Sequence, residues 1–309
     1  MTFLKPLSRR DFLKLGGATS VGLVLSACSP ATSPGAMSAE TPSVANTPAT
    51  PTAIPTATGT PTPAATAKLA STPMPTDRPT PMSLPFFHAL NDKTPLDWAR
   101  LLVQNLKPAD TSYRHKDTVV TWAGQNGAQS YSSYADCSGF LEAVLTQAYG
   151  LTPDDFNHWL SKRRPLAEHF YAAVLAGRGF QRVTQIDATR AGDIIAIKYP
   201  PGAGGDNTGH IMLVAGTPQR RRASKPLEGA SEQWDVLVID SSESGHGPED
   251  PRSLPDGTFR DGVGQGTLRI YSDASAGISG YTWSDFANSD YYTGAQRPLV
   301  IGRIDMEYR

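Results

Sequence analysis

Residues 132–145 read SSYADCSGFLEAVL and contain Cys137, one of only two cysteines in a chain of 309 residues. Asp136 is a predicted N-cap, so Cys137 falls in the first turn of a helix that Gly150 ends. At that position the helix dipole and the free main-chain amides favour a thiolate and can bind an oxyanion. The alternative is a small buried hydrophobe. The cap and the polar neighbours favour a reactive cysteine.

The segments on either side of this stretch predict helices first and strands later. Helical spacing of apolar residues begins after Thr94, and two further helices are predicted to begin at Thr152 and after Pro165. From Ala191 onward the pattern changes to short apolar runs separated by Gly and Pro, namely DIIAIKY, HIMLVAG, WDVLVID, GTLRIYS and PLVIGRI. We therefore predict an α+β fold with N-terminal helices packed on one face of an antiparallel β-sheet.

A thiolate nucleophile needs a base, and His210 is the strongest candidate. It starts the apolar run HIMLVAG directly after a Gly-rich loop, where a sheet would hold a side chain that faces a cleft. Asp240 ends the next strand and, in an antiparallel pair, would lie beside His210 and orient its ring. The other histidines are expected to face solvent: His88, His115, His158, His169 and His246.

The start of the chain is typical of an export signal. A basic beginning is followed by an uncharged run, Leu15–Ala27, that is too short to span a bilayer, and then by Cys28. Arg9 and Arg10 match the twin-arginine export pattern. The sequence LSAC, which ends at Cys28, resembles the bacterial lipobox, in which the thiol is acylated. We predict a signal peptide over residues 1–27 and a lipid anchor on Cys28.

Composition separates a tether from a domain. Ser29–Pro85 contains 13 Pro and 13 Thr in 57 residues. A segment of this composition has too few apolar side chains to form a core. Residues 28–85 are therefore predicted to be a disordered tether. Residues 86–309 suit one domain. With Cys28 lipidated, Cys137 has no partner for an intramolecular disulfide. The net charge of −1 provides no basic surface for nucleic acid.

Four elements follow one another along the domain: DCSGF, AGDIIAIKY, GHIMLVAG and VLVIDSS. In this order they resemble the NlpC-type family of cell-wall cysteine peptidases. The resemblance implies a papain-like fold, with Cys137 as nucleophile, His210 as base and Asp240 as the third polar residue. It also implies that Asp136 and Ser138 hold the free amino end of a peptidoglycan stem peptide. The bond cut would be the one between D-glutamate and the following diamino acid.

Several positions depart from the family's pattern. Val120 stands where the family commonly has the Tyr of a Tyr-x-Trp-Gly-Gly sequence. Trp122 is retained, and either Tyr131 or Tyr134 is predicted to replace the missing hydroxyl. Trp122 and Tyr134 are expected to contact substrate. Gly209 precedes the histidine where serine is frequent, and Asp240 replaces the more usual His, Asn or Gln.

The resemblance covers about residues 120–242, and residues 151–190 look like an insertion within it. It implies no metal and no cofactor. The expected partners are peptidoglycan stem peptides and, through the lipid on Cys28, the outer side of a bacterial cell membrane. A monomer is the expected state.

Two other functions would use the same residues. A lipoprotein without catalysis could retain the cleft to bind wall peptides, and a CHAP-type amidase would keep Cys137 and His210 but cut a different bond. A metallopeptidase would need ligands such as His-Glu-x-x-His, which the sequence lacks. Gly262–Gly266, GVGQG, does not open a predicted helix, so a turn between strands is predicted there rather than a phosphate-binding loop.

Overall fold

The computed structural model describes residues 86–202 and 207–309 of the chain. The predicted signal peptide and the whole of the predicted tether, with Arg9, Arg10 and Cys28, lie outside the described residues. Within the described part of the chain, no helix is long and apolar enough to cross a membrane.

The described residues form four α-helices and twelve β-strands, with two short 3-10 helices at Pro108–Asp110 and Ile186–Ala188. The helices are α1 (Pro95–Asn105), α2 (Cys137–Tyr149), α3 (Pro153–Leu160) and α4 (Ala167–Ala176). The strands are β1 (Thr111–Ser112), β2 (Val119–Thr121), β3 (Ser132–Tyr134), β4 (Phe180–Val183), β5 (Ile194–Lys198), β6 (Gly209–Val214), β7 (Gln219–Arg221), β8 (Glu232–Ser242), β9 (Gly262–Ser272), β10 (Ile278–Thr282), β11 (Tyr291–Thr293) and β12 (Leu299–Ile304).

Local capping signals set the helix ends where the sequence predicts them. Thr94 accepts a hydrogen bond from the Asp97 amide, and the Asp97 carboxylate accepts one from the Thr94 amide, which completes a capping box at the start of α1. Thr152 and Asp155 form the same box at the start of α3. Gly150 adopts the left-handed conformation that ends α2. The predicted helices are confirmed.

The strands form one large sheet and one small sheet. The large sheet has the order β11-β10-β9-β8-β6-β5-β12-β4, with β7 paired to β8, and all of its pairs are antiparallel. The small sheet has the order β1-β3-β2, in which β1 and β3 run parallel. The predicted α+β class with an antiparallel sheet is therefore confirmed.

Both faces of the large sheet are covered by apolar side chains. On β5, Ile194 and Ala196 belong to the cluster that packs against the helices, while Ile195 and Ile197 belong to the cluster on the opposite face. All four are fully buried, and burial of such a side chain stabilises the fold by about 1.5–3 kcal/mol. Helix α2 packs on β6 and β8, and α4 packs on β5, β6 and β12. The first residue of α2 thus lies near strands β6 and β8.

The predicted turn at Gly262–Gly266 is wrong. These residues begin β9 and pair with the end of β8, where Gly264 lies opposite Asp240. A Cβ atom on Gly264 would lie 2.2 Å from Arg252 Nε, and one on Gly266 would lie 2.7 Å from Asp250 Oδ2. The glycines therefore leave room for charged side chains to cross the strand, which is why a glycine-rich segment is extended here.

Candidate active site

Cys137 is the first residue of α2 and is 4% exposed. Asp136 caps the helix, since its Oδ1 accepts a hydrogen bond from the Gly139 amide at 2.7 Å. The amides of Cys137 and Ser138 precede the first intrahelical hydrogen bond, which runs from the Phe140 amide to the Asp136 carbonyl. Two main-chain donors beside the thiol can therefore bind an oxyanion.

His210 and Asp240 meet beside this thiol. His210 Nε2 lies 2.6 Å from Asp240 Oδ2, and both side chains are buried. The antiparallel register of β6 and β8 makes the two residues diagonal neighbours on one face of the sheet. Cys137 lies close enough to His210 to act on the charge of its ring. Because Asp240 holds Nε2, Nδ1 is the ring nitrogen left to the thiol.

The surroundings favour a charged imidazole. Burial opposes the charged form of the ring, but the charge of Cys137 and the hydrogen bond to Asp240 raise the pKa of His210 to about 10. Burial also opposes ionisation of Asp240, yet its interactions with His246 and Arg252 hold the pKa of that carboxyl well below its usual range. The arrangement therefore favours a charged His210 ring that a carboxylate orients.

The backbone conformation directly before His210 requires a glycine, which is Gly209. Its φ of 152° is one that residues with a side chain rarely adopt, and a Cβ atom there would lie 2.0 Å from the Ile197 carbonyl oxygen. Ile197 lies opposite His210 in the β5–β6 pair. A serine at this position would push the strands apart where His210 is held.

Tyr113 is a site residue that the sequence analysis missed. It follows β1, which pairs with β3, and β3 leads into Asp136 and Cys137. Tyr113 lines the small cavity beside the thiol together with Cys137. Burial, together with the neighbouring charges of Cys137 and Asp136, raises the pKa of Tyr113 above its usual value, so the hydroxyl keeps its proton and can donate it in a hydrogen bond.

His246 was expected to face solvent, and that prediction is wrong. The residue is fully buried, and its Nε2 lies 2.9 Å from the same Asp240 oxygen that contacts His210. Its Nδ1 donates a hydrogen bond to the Trp283 carbonyl oxygen at 2.7 Å. The Trp283 ring packs against both histidines, with centroid distances of 4.7 Å to His210 and 4.5 Å to His246. Trp283 thereby shields the His210–Asp240 hydrogen bond from water.

A buried arginine completes the support of Asp240. Arg252 Nη2 lies 2.9 Å from Asp240 Oδ1, as an ion pair without hydrogen-bond alignment. Arg252 is held in turn by Asp250, whose two carboxylate oxygens accept from its Nε at 2.9 Å and its Nη2 at 2.7 Å. Such a bidentate pair fixes the plane of the guanidinium. The sequence signal for this cluster is the glycine pair in β9, which makes space for it.

Asp136 and Ser138 border the site, but both are bound to Arg164. Arg164 Nη2 donates to Asp136 Oδ1 at 2.7 Å, and Nη1 donates to Ser138 Oγ at 2.9 Å. The other Asp136 oxygen lies 3.3 Å from His115 Nδ1. Arg164 lies in the segment 151–190, which looks like an insertion in the sequence. This segment therefore reaches into the site.

Trp122 and Tyr134 are not brought to the cleft. Trp122 is buried, packs edge-on against Trp98 and donates its Nε1 proton to the Trp98 carbonyl oxygen at 2.9 Å. The Tyr134 hydroxyl donates to the Ala109 carbonyl oxygen at 3.2 Å. Neither residue lines the cavity beside Cys137, whereas Tyr113 does.

A small cavity of about 30 Å³ lies against the thiol, which is room for a water molecule. It adjoins a wider cleft of about 560 Å³, with which it shares Leu166, Asn207 and Thr208. Its other lining residues are Tyr113, His115, Asp136, Cys137, Ser138, Ala167 and Gly209. In residues 86–202 and 207–309, no group of three or more His, Cys, Asp or Glu side chains is arranged to hold a metal ion.

Fold and site together define an α+β protein with a Cys–His–Asp constellation at the N-terminus of a helix. The chain is 34% identical over 226 residues to uncharacterized protein R653 of Acanthamoeba polyphaga mimivirus, a match that covers 70% of this chain and 98% of the viral protein. It belongs to the same family as that viral protein. No family model matches the chain. No solved structure matches it either.

Proposed function

We propose that this protein is a cysteine hydrolase that cleaves amide bonds. One observation carries the proposal: the Cys137 thiol lies at a helix N-terminus, close enough to His210 to act on the charge of its ring, and Asp240 holds Nε2 of that ring at 2.6 Å. A nucleophile, a base and a residue that orients the base are the parts that covalent acyl transfer requires.

The geometry suits a two-step reaction. Cys137 Sγ attacks the carbonyl carbon, and the amides of Cys137 and Ser138 bind the oxygen that becomes negative. His210 gives its proton to the amide nitrogen, the C–N bond breaks, and the amine leaves. A water molecule, deprotonated by His210, then attacks the thioester carbon. The acid leaves and the thiolate with its imidazolium partner is restored.

We further propose the papain-like fold of the NlpC-type peptidases. A helix with the thiol at its first residue, packed on an antiparallel sheet that carries His210 and Asp240, supports this assignment. The proposed substrates are peptidoglycan stem peptides, and the proposed bond joins D-glutamate to the following diamino acid. These finer statements rest on the resemblance of the motifs around Cys137 and His210.

Mass spectrometry of peptidoglycan fragments incubated with the purified protein tests the proposal. We expect new products cut after D-glutamate, and none with the Cys137→Ala variant. Cleavage of the amide between the glycan's lactyl group and L-Ala would instead indicate a CHAP-type amidase. Fragments that bind to the protein and stay intact would indicate a binding lipoprotein without catalysis.

We also propose that the protein is exported by the twin-arginine route and held outside the cell membrane by lipid on Cys28. Replacing Arg9 and Arg10 together with Lys should leave the protein in the cytoplasm of a bacterial host, because the export receptor reads the arginine pair. Cys28→Ala should allow export but release the protein from the membrane fraction. Unchanged membrane fractionation of both variants would contradict the proposal.

A further inference from the structure

The Arg164 guanidinium is fixed over the start of α2 by several hydrogen bonds. Besides Asp136 Oδ1 and Ser138 Oγ, it donates to Glu142 Oε1 at 2.7 Å and to the Pro165 carbonyl oxygen at 3.1 Å. These bonds use both terminal nitrogens of the guanidinium and hold its plane. A side chain on Gly139 would collide with it, since a Cβ atom there would lie 2.8 Å from Arg164 Nη2.

This arrangement occupies the two groups that the family resemblance assigns to a free amino end. Asp136 Oδ1 accepts from the Gly139 amide at 2.7 Å, from Ser138 Oγ at 3.1 Å and from Arg164. Its other oxygen, Oδ2, lies 3.3 Å from His115. No lone pair of Oδ1 remains for a fourth strong donor, and an amine that contacted Oδ2 would lie beside the His115 ring.

The charges of the side chains around Arg164 also disfavour a free amino end. Burial opposes the charged form of Asp136, but the Arg164 guanidinium holds the pKa of this carboxyl below its usual range, so the two form an ion pair. Burial raises the pKa of Glu142 to about 7, against the effect of Arg164. Near pH 7 Glu142 is therefore only partly ionised, and the charges of Asp136 and Arg164 cancel. A buried ammonium needs an uncompensated anion, and Asp136, which is paired with Arg164, does not provide one.

We infer that the cleft takes peptides whose amino group is already acylated, in preference to peptides with a free amino end. A neutral amide loses less hydration than an ammonium on entering the cleft and needs no carboxylate. In a peptidoglycan stem this describes a peptide that is still joined to its glycan. The inference rests on the proposed function and names Arg164 as the residue that determines this specificity.

Two stem tetrapeptides that differ only in an acetyl group on L-Ala test the inference. Wild-type protein should hydrolyse the acetylated peptide with a kcat/KM on the order of tenfold higher than that of the free amine. Arg164→Gln removes the charge and keeps donors, so the uncompensated Asp136 should attract the free amine and lower this ratio on the order of tenfold. Arg163→Gln is the matched control, because Arg163 pairs with the exposed Asp154 and should leave the ratio unchanged.

Failure of the inference and failure of the proposed function give different results. A wild-type preference for the free amine would overturn the inference and leave the hydrolase intact, whereas hydrolysis of neither peptide would overturn both. If circular dichroism shows that Arg164→Gln does not fold, a second measurement replaces it. Calorimetric titration of the Cys137→Ala protein, in which Arg164 is in place, compares the affinities for the two peptides. Tighter binding of the free amine there would overturn the inference.

Discussion

Cys137→Ala should lower kcat for hydrolysis of whichever stem peptide the wild-type protein cleaves by about 10⁴-fold or more. The substitution removes the only free cysteine among the described residues. His210→Ala should cost about as much, because the thiol without its base is a weak nucleophile and the leaving amine receives no proton. The double variant should lose little more than either single variant, since residues that act as a unit are not additive.

Steady-state hydrolysis by each folded variant measures these losses, with folding checked by circular dichroism. Cys28→Ala is the matched control, since it removes the chain's other thiol and should leave hydrolysis of soluble peptides unchanged. If Cys137→Ala keeps even a tenth of the wild-type rate, the thiol is not the nucleophile. Additive losses in the double variant would mean that Cys137 and His210 act separately.

Asp240→Asn should lower kcat on the order of 10²–10⁴-fold and shift the pH profile. The carboxylate stabilises the imidazolium of His210, whose pKa is about 10, and the amide does not. Protonation of the leaving amine needs the imidazolium, so wild-type activity should persist below pH 10 and fall as the pH rises through that value. Without the carboxylate the pKa of His210 falls, and the alkaline loss should begin at lower pH.

A profile of kcat against pH for wild type and variant provides the measurement. Asp235→Asn is the control, because Asp235 lies on the same strand, pairs with Arg221 near the surface and does not touch either histidine. An alkaline limb that stays in place in Asp240→Asn would show that Asp240 does not stabilise the charged ring. Its role would then be limited to holding the position of His210.

The sequence alone was sufficient for features that depend on neighbours a few residues apart. The capping boxes at Thr94 and Thr152 and the left-handed Gly150 need only local backbone contacts, so the helix ends follow from the residues themselves. Apolar periodicity likewise predicted five strands of the sheet and its antiparallel class. Cys137 and His210 stood out because each begins an element whose pattern is strong.

Tertiary structure alone decided what surrounds these two residues. Tyr113, Arg164 and His246 lie in loops without a periodic pattern, and each reaches the site across sequence separations that no local rule links. The GVGQG segment is a strand because it pairs with the end of β8, and its glycines leave room for the buried Arg252 and Asp250. Buried polar groups must find partners wherever the folded chain places them, since leaving one unpaired costs on the order of 1–3 kcal/mol. Such partnerships are therefore set by packing between distant segments and become visible only once the chain is folded.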